Sequence, residues 1–171
     1  MPWGKEALLV GAQHIPATTN EQSLWERFLG IKVTAAVIWT ADLDESFDVT
    51  GPCLAVLTFG EVTTTLGSDA SLNLEIKTTT DLICAATAVE SDADGEMYTL
   101  SGVPADGLIN VAGDLNLGAY AGDHAQTPII LGGEGTAIVV QSNTPSTDAG
   151  GLTWTMFYVP LGTSATVSAS S

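Results

Sequence analysis

The chain is poor in basic residues: its 171 residues include only four lysines and arginines, against twenty aspartates and glutamates. The resulting net charge of −16 at neutral pH opposes binding to nucleic acid. Affinity for nucleic acid comes mainly from Lys and Arg side chains that neutralise phosphates. The composition therefore excludes a nucleic-acid-binding role and predicts a surface that faces either solvent or a basic protein partner.

Long hydrophobic runs are also missing. No apolar stretch approaches the roughly 18 residues that a membrane-spanning helix needs, so we expect no membrane partner. The apolar stretch of residues 7–12 is too short for the hydrophobic region of a signal peptide, which favours synthesis in a cytoplasm without export by that route. Hydrophobic residues nevertheless make up 45% of the chain, and its mean hydropathy is +0.28, so the chain folds despite its high net charge.

Cysteine and histidine are scarce, with two of each. Cys53 and Cys84 lie in apolar, strand-like contexts, which favours two buried free thiols over a disulfide or a metal site. Neither His14 nor His124 has a second histidine or a cysteine at metal-binding spacing. The sequence also contains no nucleophile elbow and no phosphate-binding loop. We therefore expect no enzymatic activity, no cofactor and no bound metal.

The few basic residues are concentrated near the N-terminus. Lys5, Arg27 and Lys32 balance three glutamates, so the first 32 residues are neutral, whereas the rest of the chain carries seventeen carboxylates and one lysine. A neutral segment with apolar side chains can lie against another protein without the electrostatic penalty of the acidic body. We interpret residues 1–30 as an assembly arm. Its candidate contact residues are Trp3, Leu24, Trp25, Phe28 and Leu29.

The arm contains the one segment with helical periodicity. Thr19 and Gln22 have the spacing of a capping box, and apolar residues then recur at helical intervals until Gly30. A helix of about ten residues is marginal in isolation. Its apolar face must therefore pack against the rest of its own domain or against a neighbouring subunit.

From Ile31 onward, apolar and polar residues alternate as in half-buried strands, and Gly-, Pro-, Asn- and Asp-rich turns separate the runs. The predicted strands cover residues 32–39, 47–49, 54–66, 72–77, 82–88, 97–101, 127–131, 136–141 and 152–158, with at most one short strand between 102 and 127. This pattern predicts an all-β, two-sheet sandwich, jelly-roll-like, over residues 31–162. Residues 163–171 form a small, polar C-terminal tail, for which fraying is favoured over capture by a neighbour.

Carboxylates cluster at residues 42–48 and 90–96. Two carboxylates can serve a glycosidase, and a calcium loop with Gly95 at its sixth position would use Glu90, Asp92 and Asp94. Ser101 then occupies the twelfth position, where such a loop needs glutamate, and the flanking helices are missing. We therefore favour solvated acidic turns over a calcium site or a catalytic pair.

Tryptophan offers another possible site, because exposed rings can stack on sugars. The four candidates for a carbohydrate-binding face are Trp3, Trp25, Trp39 and Trp154. Two of them, Trp39 and Trp154, lie in predicted strands among apolar neighbours. Their surroundings favour a place in the core.

Three stretches of the chain carry a resemblance: residues 36–52, residues 82–87 together with 97–102, and residues 154–161. They resemble virion proteins of tailed double-stranded DNA bacteriophages, small β-rich proteins that decorate or cement the head. The resemblance covers about residues 34–161 and transfers no functional residue. It implies a non-enzymatic subunit on the outer capsid surface of the virion, bound to the major capsid protein or other virion proteins and trimeric.

An acidic exterior suits this expectation, because an outward-facing capsid protein needs solubility and no affinity for packaged DNA. Three alternatives remain open. The chain could be a phage tail or baseplate subunit, a carbohydrate-binding β-sandwich module, or an acidic glycosidase.

Overall fold

The computed structural model describes residues 29–39, 43–111, 126–132, 136–144 and 150–170. Within these ranges the chain forms two antiparallel β-sheets and almost no helix, so the prediction of an all-β, sandwich-like fold is confirmed. The same ranges contain no helix long and apolar enough to cross a membrane. The strands are β1 (Ile31–Ile38), β2 (Leu43–Thr50), β3 (Cys53–Thr64), β4 (Ser71–Ile76), β5 (Thr87–Ala88), β6 (Met97–Thr99), β7 (Ile109–Val111), β8 (Ile129–Leu131), β9 (Thr136–Thr144), β10 (Gly151–Pro160) and β11 (Thr166–Ala169).

The first sheet has the strand order β1-β10-β3-β6-β7, and β8 pairs with the beginning of β3 beside this path. The second sheet has the order β11-β2-β9-β4-β5. Most neighbours within a sheet are distant in sequence, because the chain repeatedly crosses from one sheet to the other.

The alternating pattern of β10 places one set of its side chains in the core. Leu152, Trp154, Met156 and Tyr158 are all buried, as their two-residue period predicts. Thr155 and Phe157, which alternate with them, are buried too, so β10 is buried on both faces there and not half-buried as the pattern predicts. Buried residues from both sheets belong to the same hydrophobic cluster, including Phe47 of β2. The core therefore lies between the two sheets.

Trp154 occupies the centre of this core and links the sheets. Its side chain is 0% exposed, and its indole Nε1 donates a hydrogen bond to Gln141 Oε1 of the other sheet at 2.8 Å. Gly60 is its cross-strand partner on β3. A Cβ at Gly60 would lie 2.8 Å from the indole ring, so the strand needs glycine there to admit tryptophan. Trp39 is also buried, which confirms that both strand tryptophans are core residues.

Several strands differ from their predicted bounds by two or three residues, and two differ by more. The strand predicted over residues 82–88 is reduced to β5 and an isolated bridge between Glu75 and Leu82, because the backbone N–H groups of both Ile83 and Cys84 bond to the carbonyl of Leu74 and the chain bends there. β2 is longer than predicted and begins at Leu43. An irregularity in its pairing after Glu45 interrupts the alternation that would have identified it.

The C-terminal segment is also ordered, so the prediction of a frayed tail is wrong. Residues 166–169 form β11, which pairs with β2, and Val167 is buried. Beyond the strand, the backbone N–H of Ser170 donates to the carbonyl of Ser46, and its hydroxyl donates to Asp48. Backbone pairing holds this polar segment although its side chains contribute little apolar surface.

Most of the arm lies outside the described residues, including the predicted helix up to position 28 and the candidate contacts Trp3, Leu24, Trp25 and Phe28. Leu29 is half-buried, and the chain then enters β1 through Gly30 with φ 94°. A Cβ at Gly30 would overlap the carbonyl oxygen of Tyr158. Both the backbone angle and this close approach favour glycine where the arm joins the body.

Candidate interaction surface

An open groove runs along one edge of the fold, between a strand of the first sheet and a loop of the second. It encloses about 500 Å³. We call it the edge groove. It is lined by Ile76, Thr79, Asp81, Leu82, Ile83, Pro104, Ile129, Ile130, Leu131 and Gly132.

One wall of the edge groove is β8. Among the described strands, β8 pairs with β3 alone, through residues 129–131 opposite residues 53–55. All three residues of β8 line the groove, although their side chains alternate between the two faces of the strand. The edge of β8 opposite β3, with which no described strand pairs, therefore borders the groove. Ile130 is 66% exposed.

The other wall is the loop after β4, which hydrogen bonds hold in a fixed shape. The N–H of Ile76 bonds to the carbonyl of Asp81 at 2.9 Å, and the N–H of Thr80 bonds to the carbonyl of Ile76 at 2.8 Å. The Thr79 hydroxyl donates to Asp81 Oδ2. Leu82 is 44% exposed at the end of this loop.

The edge groove is apolar apart from its threonine and one carboxylate, that of Asp81. Exposed aliphatic side chains grouped beside a concave surface are typical of sites that contact another protein segment. None of the sequence patterns described above predicts this surface. The run of residues 128–132, Pro-Ile-Ile-Leu-Gly, indicates an exposed apolar side chain, because three consecutive apolar residues of a strand cannot all face the core.

A second cavity, of about 680 Å³, is lined by residues 86–88, 101 and 105–109. No aromatic ring lines it, and none lines the edge groove, among the residues that the structure describes. Since the two strand tryptophans are buried as well, neither they nor these two cavities offer a ring for stacking on a sugar.

The acidic segment 90–96 is joined to the body by hydrogen bonds. The N–H of Leu66 bonds to the carbonyl of Asp92, and the N–H of Val62 bonds to the carbonyl of Glu96. The carboxylate of Asp92 accepts a hydrogen bond from the hydroxyl of the buried Tyr98. Within the described ranges, which include this segment, no group of three or more His, Cys, Asp or Glu residues is placed to hold a metal ion.

The other predicted acidic cluster lies mostly within β2. Asp44 is buried, and Asp48 accepts the hydrogen bond from Ser170. Glu45 forms an ion pair with Lys77, and both side chains are partly exposed, so this pair contributes little stability. Lys77 is the one lysine after position 32, and no arginine follows it. The other carboxylates of the body therefore have no lysine or arginine in the body to balance their charge.

Both cysteines are buried and free, as the sequence predicts. The Sγ of Cys84 accepts a hydrogen bond from the N–H of Leu74 at 3.2 Å. Burial raises the pKa of Cys84 to about 11, and it also raises the pKa of Cys53. Both thiols are therefore protonated and poorly reactive at neutral pH in the folded protein.

We expect reductant and EDTA to leave the stability of the protein unchanged. The melting temperature should agree within about one or two degrees with and without each reagent, because neither the thiols nor the acidic segments cross-link the fold. Thermal unfolding followed by circular dichroism provides the measurement. A large decrease with EDTA would mean that a bound ion stabilises the protein, and a large decrease with reductant would mean that Cys53 and Cys84 pair.

Alkaline pH should destabilise the protein from about pH 9 upward. The thiol of Cys84 has an ordinary pKa of 9.0, which burial raises to about 11. The unfolded chain therefore releases this proton first, so the stability present below pH 9 is lost as the pH approaches 11, by about 2–3 kcal/mol. Burial, and then the hydrogen bond to Asp92, also raise the pKa of Tyr98, which extends the loss above pH 10.

Denaturant titrations at pH 8 and pH 10.5 test this expectation. The variant Cys84→Ala should lose less stability between these two pH values than the unsubstituted protein, whatever its stability at pH 8. Equal losses in the two proteins would show that Cys84 does not carry the effect.

Comparisons of the chain with protein-family models, curated proteins and solved structures gave no match.

Proposed function

We propose that this chain is a non-enzymatic virion structural protein that decorates or cements the outer surface of a tailed-phage head. In this proposal it is a homotrimer, made in the host cytoplasm, that attaches to the major capsid protein or to other virion proteins through residues 1–30. The order of the strands in the two sheets is the observation that carries the proposal.

This order supports a jelly roll. Strands β1, β10, β3 and β6 are neighbours in the first sheet, and β2, β9, β4 and β5 are neighbours in the second. Along the chain, β1 to β4 alternate between the first and the second sheet, and β5 stays in the second sheet beside β4. The strands β6, β9 and β10 then alternate again, starting from the first sheet. Eight strands connected in this way make up the double Greek key of viral capsid and lectin domains. The remaining strands β7, β8 and β11 extend the sheets.

The surface charge supports an outward position on the particle. Seven of the described carboxylate side chains are exposed: Glu45, Glu61, Asp69, Asp81, Glu90, Asp94 and Asp106. Such a surface is soluble and is repelled by packaged DNA. A carbohydrate-binding jelly roll is less well supported, because Trp39 and Trp154 are buried and no ring lines the two cavities described above.

A tail or baseplate subunit would have the same fold and charge, so the location on the particle needs a direct test. Purified protein is mixed with separated heads and tails of the phage that encodes it, and the bound fraction of each is measured after sedimentation. We expect binding to heads alone. Binding to tails alone would mean that the protein attaches to the tail and not to the head.

The native mass of the unbound protein should be that of a trimer, and a monomer would contradict the proposed oligomer.

The attachment should depend on salt, because exposed charges are screened over about 8 Å at physiological ionic strength. If apolar contacts hold the acidic subunit on the shell, binding should strengthen as salt rises; if the shell surface is basic, binding should weaken. The measurement is the bound fraction from roughly 20 to 500 mM salt. An unchanged fraction over this range would mean that the carboxylates lie far from every interface.

A further inference from the structure

We infer that the edge groove of one subunit binds the apolar run of residues 7–10 from the arm of a neighbouring copy. This inference rests on the proposed function, for which it names the contact between subunits. It joins three observations: the unpaired edge of β8, the distribution of charge along the chain, and the place where the arm leaves the body.

The edge groove offers both parts of a site for an added strand. The edge of β8 that no described strand pairs with supplies backbone hydrogen-bonding groups, and the side chains of Leu82 and Ile130 supply an exposed apolar surface. An extended segment that pairs with a strand edge gains main-chain hydrogen bonds, and its alternate side chains enter the adjoining depression. Unpaired strand edges are otherwise liable to uncontrolled association. The groove therefore suits an extended apolar segment better than a small ligand.

The arm contains an apolar segment that suits this site. Its run Ala7-Leu8-Leu9-Val10 carries no charge, and Lys5 and Glu6 just before it cancel each other. Among the residues that the structure describes, the only charged side chain lining the groove is the carboxylate of Asp81. Every internal segment outside the described ranges carries an acidic residue and no lysine or arginine, whereas in residues 1–28 Lys5 and Arg27 offset two of the three glutamates. The arm is thus the part of the chain best suited to approach an acidic body.

The arm also starts from the same end of the first sheet as the edge groove. Ile31 pairs with Tyr158, Tyr158 pairs with Ala55, and Ala55 pairs with Ile129 of β8. Three strand spacings, about 14 Å, separate the start of β1 from the groove wall. The twenty residues between positions 10 and 30, about half of them in the predicted helix, can still span about 50 Å, far beyond this distance. A domain of this size is about 40 Å across, so the run can reach the groove of an adjacent subunit.

The symmetry of this contact agrees with the proposed trimer. The arm and the edge groove are different surfaces, so each copy can give its arm to the next copy and receive one from the previous copy, whereas reciprocal exchange between two copies alone would give a twofold dimer. Head-to-tail contacts generate a closed ring when the rotation between subunits completes a circle. Each subunit of such a ring gives one arm and receives one.

Native mass measurement of full-length variants tests the inference. Ile130→Asp and Leu82→Asp place a charge in the groove at exposed positions, so the fold should be retained, with a melting temperature close to that of the unsubstituted protein. The control is Ile38→Asp, because Ile38 is 71% exposed at the far end of β1 and lies outside the groove. We expect the two groove variants to be monomeric and the control to be trimeric.

Trimeric groove variants would overturn the inference, and if they still bind shells, the proposed function stands without it. An unsubstituted protein that is monomeric and does not bind shells would overturn both. A cross-link then identifies the segment in the groove: the double variant Leu8→Cys with Ile130→Cys should form disulfide-linked trimers on oxidation, whereas Leu8→Cys with Ile38→Cys should not. A disulfide within single chains would place the arm in its own groove and would overturn the exchange between copies, as would equal cross-linking of the control pair.

Discussion

Replacing Trp154 with alanine is expected to lower the free energy of unfolding by about 3–5 kcal/mol, a large part of the stability of a domain of this size. The indole ring is fully buried and packs over Gly60, so its removal leaves a cavity that neighbouring strands cannot close. The substitution also removes the hydrogen bond from Trp154 to Gln141, which joins the two sheets. Urea unfolding followed by circular dichroism measures the loss.

The matched control is Thr153→Ala, the adjacent residue of the same strand. Thr153 is partly exposed and faces away from the core, so its truncation should change the free energy of unfolding by no more than about 0.5–1 kcal/mol. Similar effects of the two substitutions would mean that Trp154 does not hold the sheets together.

Removing residues 1–28 is expected to abolish attachment to the shell while the body stays folded. The deletion keeps Leu29 and Gly30, where the chain packs against the end of β10, and it leaves every described strand complete. It removes Trp3, Leu24, Trp25 and Phe28, large apolar residues of a segment in which two basic residues nearly balance three glutamates. The bound fraction after sedimentation with shells should fall to the background level, and the circular dichroism spectrum should keep its β-sheet signal.

Two full-length variants test whether the apolar side chains of the arm, and not only its presence, cause the attachment. Trp25→Ser with Phe28→Ser should weaken attachment strongly, whereas Lys5→Gln should weaken it little if apolar contacts dominate. A truncated protein that decorates shells as well as the full chain would show that attachment depends on the body.

Much of the fold follows from local patterns in the sequence. In β10, the alternation of Leu152, Trp154, Met156 and Tyr158 predicts both a strand and the face that it buries, and the structure places all four in the core. The buried state of the cysteines follows in the same way from their apolar neighbours. These predictions succeed because burial on one face of a strand imposes a two-residue period.

Features that depend on distant pairing were harder to predict. β11 contains small and polar residues, and its order comes from backbone bonds to β2, more than a hundred positions earlier. The edge groove is lined by Ile130 of β8 and by Leu82 of the loop after β4, which are far apart in the sequence. Neither feature leaves a periodic pattern in the sequence, because each requires the register of strands that are far apart along the chain.

The proposed role on the outside of a phage head is tested by the binding of purified full-length protein to shells assembled from the major capsid protein of the same phage. The amount bound per shell is measured by sedimentation, with unassembled capsid subunits as the control. We expect saturable binding to assembled shells and none to free subunits, since a cement protein recognises a surface that assembly creates. Failure to bind assembled shells under any salt condition would contradict the proposed role.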